Sequence, residues 1–288
     1  SWTYRTFSTR DELAGLEGTL RILPDTRPER HGAVRIDPAN PQRFIHEDGA
    51  PYFALSFELD WLFALDFDNP EDIPRTRQIV DHLKANGFNQ VVMNVYAYDA
   101  SWGELERIRP EHNFARPNTF PYGGTNAKPN YTRLNLSLFR HLDRVLAHLH
   151  DQEIVAHLMI YVWNKQVNWA EPYTPADDLY FDYVVKRFQA YPNLVWDISK
   201  EALAYGRDDI HYITNRIDRL RGLDGHRRLV TVHDYAYCQR FPGKVDFISI
   251  QEWRPNLYHE MRTALDRHPL QPVLNIEHGG YEKTRHSI

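Results

Sequence analysis

Two carboxylates close apolar runs and stand where chemistry could occur. Glu201 ends Asn193-Leu194-Val195-Trp196-Asp197-Ile198-Ser199-Lys200-Glu201, and Glu277 ends Pro272-Val273-Leu274-Asn275-Ile276-Glu277. A carboxyl pair with divided roles suits cleavage of a glycosidic bond. One acid is held protonated for the leaving oxygen, while the other stays ionised to attack the anomeric carbon or activate water. Such a pair needs no cofactor. Aromatics cluster near the same chain positions, namely Trp61, Tyr96, Tyr98, Trp102, Trp163, Trp169, Tyr235 and Trp253. Flat rings pack against the C–H faces of sugars while hydroxyls seek polar partners. Asp60, Asn94, His233, Gln251 and Glu252 are the candidate hydroxyl-binding groups, with Trp61, Tyr96, Trp163 and Trp253 as candidate ring contacts.

Other chemistries find less support. The chain has 15 His, yet its first strand carries Glu58 and Asp60 where a barrel metallohydrolase would show a His-x-His pair. No metal site is expected; His157 reads as an interior residue and His233 as a donor to substrate. Gly123-Gly124 and Gly279-Gly280 lack the Lys-Ser/Thr of a phosphate loop, and there is no Gly-x-Ser-x-Gly elbow.

The elements that position these groups follow from hydrophobic period. Strands are expected at 52–60, 88–96, 154–163, 193–201, 229–233, 245–252 and 272–277. Helices are expected at 70–86, 136–151, 177–191, 208–223 and 256–268, with Gly87 just past the end of the first. Helix-length connections imply parallel strands. These strands alternate instead of running continuously apolar. Leu194, Trp196 and Ile198 share one face while Asp197, Ser199 and Glu201 share the other; Leu274 and Ile276 oppose Asn275 and Glu277. In a doubly wound sheet the central strands would be apolar on both faces. In a (β/α)8 TIM barrel one face packs on helices while the other fills the interior and ends in reactive groups at the C-terminal mouth. The fold class expected is therefore α/β, a TIM barrel. Ser101–Thr132 reads as a long polar, Pro- and Asn-rich loop, of a length that is commonly functional in compact domains.

Composition narrows the partners. With 34 Lys+Arg against 39 Asp+Glu the formal charge is −5, so no broad cationic surface is offered to nucleic acid. No run of about 18 apolar residues is available to span a membrane. The single Cys238 can form no internal disulfide.

Residues 31–282 resemble the retaining glycoside hydrolases of clan A, in particular the bacterial apiosidase-like barrels that follow an immunoglobulin-like domain. The resemblance rests on Phe57-Glu58-Leu59-Asp60-Trp61-Leu62, Gly87-Phe88-Asn89-Gln90-Val91-Val92, the 193–201 segment and Asn275-Ile276-Glu277. It implies a carbohydrate substrate, Glu201 as acid/base after the fourth strand and Glu277 as nucleophile at the end of the seventh. It also implies that residues 1–30 are the tail of a β-sandwich and that 31–288 is a barrel cut after strand seven. A polymeric substrate implies an extracellular or periplasmic setting. One position departs from the clan: Lys200 stands where Asn usually contacts the 2-hydroxyl. A cation there would lower the pKa of an adjacent acid, opposite to what a proton donor needs. Either Lys200 points outward or the substrate is unusual, with acidic sugars plausible. The competing expectations are a barrel that binds carbohydrate without cleaving it and a metal-dependent hydrolase.

Overall fold

A computed structural model describes residues 1–23, 27, 29–99, 117–205 and 209–277. The chain divides into two compact units, Ser1–Arg30 and His31–Ile288. In the first, β1 (Trp2–Arg5) and β2 (Glu17–Leu20) pair antiparallel, with Trp2 opposite Leu20 and Arg5 opposite Glu17. Thr6 secures the turn region, its backbone N–H donating to Leu16 and its hydroxyl accepting from the Leu16 N–H at 3.0 Å.

The second unit opens with a small antiparallel sheet, β3 (Val34–Ile36), β4 (Phe44–His46) and β5 (Pro51–Tyr52). Its apolar side chains Val34, Phe44 and Tyr52 pack with Val155, Val195, Leu229 and Phe247. The last four lie at or just before the starts of barrel strands, so this sheet seals the end of the barrel opposite the mouth.

Strands and helices then alternate. They run β6 (Ser56–Glu58), α1 (Pro74–Ala85), β7 (Gln90–Asn94), the hairpin β8 (Tyr122–Thr125) and β9 (Lys128–Leu134), α2 (Leu136–Asp151), β10 (Val155–Val162) and α3 (Pro175–Phe188). There follow β11 (Leu194–Lys200), α4 (Ile210–Leu223), β12 (Val230–His233), α5 (Tyr235–Arg240), β13 (Ile248–Gln251), α6 (Leu257–Arg267) and β14 (Val273–Glu277). β6, β7, β10, β11 and β12 form one parallel sheet in that order, and β13 pairs parallel with β14. β12 lies beside β13, and β14 approaches β6. The seven parallel strands among the described residues thus curve round toward one another in an α/β barrel.

The expected alternation holds on most strands. Val91, Met93, Leu158, Ile160, Trp196 and Ile198 join the core between sheet and helices, while Gln90, His157, Asp197, Thr231 and Ser249 are buried in the interior. Helix α2 shows why the packing is stable: Leu138, Phe139, Leu142, Val145, Leu146 and Leu149 form an i, i+3, i+4 stripe, all buried. Each such side chain contributes about 1.5–3 kcal/mol of transfer free energy.

Three differences from the expectation have local causes. The first helix starts at Pro74 and not near residue 70, because Ile73 adopts a left-handed φ of 43° and Pro74 fits the first helical turn. The expected loop 101–132 contains β8 and the start of β9, turned through Asn126-Ala127 with Gly124 at φ +78°; there a Cβ would sit 2.3 Å from the Lys128 carbonyl. On the first strand, Phe53, Leu55 and Phe57 stay 84%, 43% and 40% exposed while Leu59 on the same face is buried, so the expected cover of that face is only partial among the described residues.

Candidate active site

The C-terminal ends of β6, β10, β11, β12, β13 and β14 bring Glu58, Asp60, Lys200, Glu201, His233, Gln251 and Glu277 to one mouth, in two linked groups. The first centres on Glu277. Its Oε2 lies 2.9 Å from Lys200 Nζ and 3.2 Å from His233 Nε2. The same ammonium donates to Glu58 Oε1 at 2.5 Å and to Asp60 Oδ2 at 3.2 Å. Lys165 reaches Asp60 Oδ2 at 3.5 Å and stands 5.1 Å above the Trp61 ring. Asp60, Lys165, Lys200, His233 and Glu277 are all buried.

Desolvation alone would raise every carboxyl here, and the outcome is set by how two lysines are shared. Burial disfavours ionised Glu277, but the neighbouring His233 imidazole and the Lys200 charge outweigh it and bring the group down to about 2. Glu58 goes the other way: burial and the neighbouring Asp60 charge push it up to about 9 against the pull of Lys200. Asp60 is held low by Lys200 and Lys165 despite its burial, while the surrounding acids, Asp60 foremost, lift Lys200 well above its ordinary value against desolvation. Among the acids around Lys200, Glu58 therefore keeps its proton.

The second group centres on Glu201. Its Oε2 accepts from Asn164 Nδ2 at 2.6 Å and its Oε1 from Gln251 Nε2 at 3.2 Å. Its backbone N–H donates to the His233 carbonyl at 3.1 Å, and its φ of 55° is left-handed, sparsely populated for a residue with a Cβ. The pairing register of β11 on β12 shifts between Asp197 and Lys200. His233 joins the two groups, its carbonyl taking the Glu201 N–H and its ring facing Glu277. Gln251 does so as well, pairing in register with Glu277 while donating to Glu201.

Beneath the mouth, Asp197 organises the interior. Oδ2 meets His157 Nε2 at 2.8 Å, and Oδ1 accepts the backbone N–H of His233 at 2.8 Å and of Ser199 at 3.1 Å. His157 is wholly buried, an interior residue as expected.

The remaining expected residues fare differently. Lys200 points inward. Its three contacts are the carboxyl groups of Glu58, Asp60 and Glu277, so the adjacent acid Glu201 is not the carboxyl it acts on. His233 is not a free donor: Nε2 faces Glu277 and Nδ1 lies 3.3 Å from Met159 Sδ. Asp60 is likewise committed to the two lysines. Tyr96 lies past the end of its strand in the aromatic core, its hydroxyl donating to the Thr119 carbonyl at 2.7 Å and its ring 5.5 Å from Phe63, so it does not face the mouth. Trp169 is also core, its Nε1 donating to the Val162 carbonyl at 2.9 Å. Trp163 stacks on Tyr161 at 5.4 Å and 16° while remaining half-buried. Trp253 is 39% exposed. Glu252 is bound by Arg254 at 2.6 Å, which with backbone N–H donors brings it down to about 2. Asn94 is fully buried, and neither of its amide atoms has a hydrogen-bond partner among the described residues. Trp102 lies outside the described residues. Sequence reasoning missed the site roles of Glu58, Asn164 and Lys165; the first two follow or precede recognised mouth residues, which was the available signal. Among the described residues no group of three or more His, Cys, Asp or Glu is arranged to hold a metal ion.

Residues 39–288 match the family described as "Apiosidase-like, catalytic domain". The chain belongs to this family. Among solved structures it is similar to a protein of Bacteroides vulgatus described as a "putative glycoside hydrolase", with 19% identity and a TM-score of 0.74 over 94% of this chain and 52% of that one. A family 5 glycoside hydrolase of the same organism shares 17% identity at a TM-score of 0.57, covering 87% and 55% of the two chains. A family 5 mannosidase of Rhizomucor miehei shares 14% at 0.57, covering 84% and 72%. The chain thus spans about half the length of the two Bacteroides vulgatus proteins. No curated protein matches it in sequence. The likeness to the mannosidase and its relatives supports the barrel as the fold of this apiosidase-like chain.

Proposed function

We propose that this apiosidase-like chain is a retaining glycoside hydrolase acting on an oligosaccharide or polysaccharide. The reading rests on one observation: two carboxyl groups share the mouth in opposite surroundings. Glu277 faces an ammonium and an imidazole, whereas Glu201 receives hydrogen bonds from two neutral amides. Divergent environments for paired acids are the basis of divided roles.

In the first step an oxygen of Glu277 forms a bond to the anomeric carbon. The bond from that carbon to the departing oxygen breaks, and Glu201 passes its proton to that oxygen. In the second step water attacks the same carbon, Glu201 takes the water's proton, and the Glu277 carboxylate departs. Gln251 and Asn164 orient Glu201; half-buried Trp163 and exposed Trp253 would offer ring platforms. Because Glu58, Asp60 and Glu277 already surround Lys200, this lysine is not available to a carboxylate of the substrate. A polymeric substrate would place the protein outside the cytoplasm.

The test is the configuration of the first sugar released, followed by proton NMR during hydrolysis of a panel of plant and algal oligosaccharides. Retention of the anomeric configuration is expected. Inversion would contradict the nucleophile role of Glu277, and binding across the panel without cleavage would favour a carbohydrate-binding barrel.

A further inference from the structure

We propose that Lys200 is the positioning residue of the nucleophile: together with His233 it grips Oε2 of Glu277 and leaves Oε1 as the oxygen that attacks the anomeric carbon. This deepens the glycosidase reading and depends on it for the identity of the attacking group.

The geometry comes first. An ammonium has three N–H donors and no acceptor. Lys200 donates to Glu58 and Asp60 at and just after the end of β6, and its ammonium is ion-paired with Glu277 Oε2 at the end of β14 at 2.9 Å. The side chain is 2% exposed, so it spans the interior to reach them. Both the Lys200 and the His233 contacts fall on Oε2, which fixes the plane of the carboxylate and singles out its other oxygen.

The backbone explains how a residue adjacent to Glu201 can do this. On a regular strand, neighbours 200 and 201 would point to opposite faces. The register shift between Asp197 and Lys200, followed by the left-handed φ of Glu201, breaks that rule. It sends both side chains to the mouth. One serves the carboxylate of β14 and the next is available to the leaving group.

Charge supports the same assignment. The groups facing Glu277 and Lys200 are Glu58 and Asp60 from β6 and the residue pair after it, Lys165 beyond β10 and His233 at the end of β12. Within this set Lys200 is among the forces holding Glu277 at about 2. When Glu277 carries a glycosyl group its negative charge is gone. Attack by water restores that charge opposite Lys200, so the lysine favours departure of the carboxylate and the second step depends on it.

The experiment requires no sugar in its first arm. The side-chain carboxyl of Glu277 is followed by carbon-13 NMR across pH, assigned by its absence in Glu277→Gln. In Lys200→Met its midpoint is expected to rise by roughly 1–3 pH units, and Lys200→Arg is expected to hold it near the parent value. Should Lys200→Met fail to fold with its acids unpaired, Glu58→Gln/Lys200→Met removes one of them and carries the same expectation. An unchanged midpoint in the folded methionine variants overturns the proposal. The second arm uses a dinitrophenyl glycoside that the parent cleaves: Lys200→Met should lower kcat with a smaller change in kcat/KM, and equal losses would overturn the assigned step. An unchanged midpoint with retained turnover sinks Lys200 alone. A shifted midpoint without cleavage of any glycoside supports the grip and sinks the glycosidase reading.

Discussion

Replacing Glu277 by Gln should change stability in a pH-dependent way whose size follows from the site. The carboxyl sits at about 2 against an ordinary 4.5. A difference of about 2.5 units corresponds to about 3 kcal/mol of folding free energy at neutral pH. The group is 6% exposed, so little of this is lost to solvent. Its folded value is depressed, so the stabilisation is fully present above the unfolded value and is lost as pH falls from 4.5 toward 2. About 60% of it is gone by pH 3. Glu58 works against the effect: it is raised to about 9 partly by the Glu277 charge, so in the variant it ionises more readily and restores a partner to Lys200. The expected loss at pH 7 is therefore at most about 3 kcal/mol, shrinking steadily toward acid. Urea unfolding of parent and Glu277→Gln at pH 7, 5, 4 and 3 measures this. A stability difference that stays constant across the series would refute the placement of Glu277 against Lys200 and His233.

Two further outcomes are expected. Asp197→Ala strands the buried His157 and frees the backbone N–H groups of Ser199 and His233. It should cost about 3–5 kcal/mol in urea unfolding, and a loss below 1 kcal/mol would show that the interior repacks. Asn164→Ala removes a donor to the Glu201 carboxylate. With the acid less well held, kcat/KM toward glycosides of poor leaving groups should fall roughly tenfold while dinitrophenyl glycosides change far less; equal losses on both would separate Asn164 from the acid.

The strands were legible because each alternates, and a barrel strand buries chemically different faces. The interior role of His157 was legible for the same reason. The fate of Lys200 was not, since parity along β11 assigns it to the outer face and only a bulge reverses it. Tyr96 failed likewise: β7 ends at Asn94, and counting by twos beyond a strand end assigns no face. The partnership of Glu58, Lys165 and Lys200 was hidden because its members come from three elements distant in sequence. The bulge also changes the meaning of the departure from the clan. A cation beside the proton donor looks harmful on paper, yet it lies against the group that must stay ionised.

The central claim is that Glu277 forms the bond to sugar and Glu201 moves the proton. In Glu201→Ala the second step lacks its base, while a dinitrophenolate leaves without needing an acid. Incubation of this variant with a panel of dinitrophenyl glycosides, followed by peptide mass spectrometry, should find one glycosyl group esterified to Glu277. A glycosyl group on any other residue, or turnover at the parent rate with no adduct, would contradict the account.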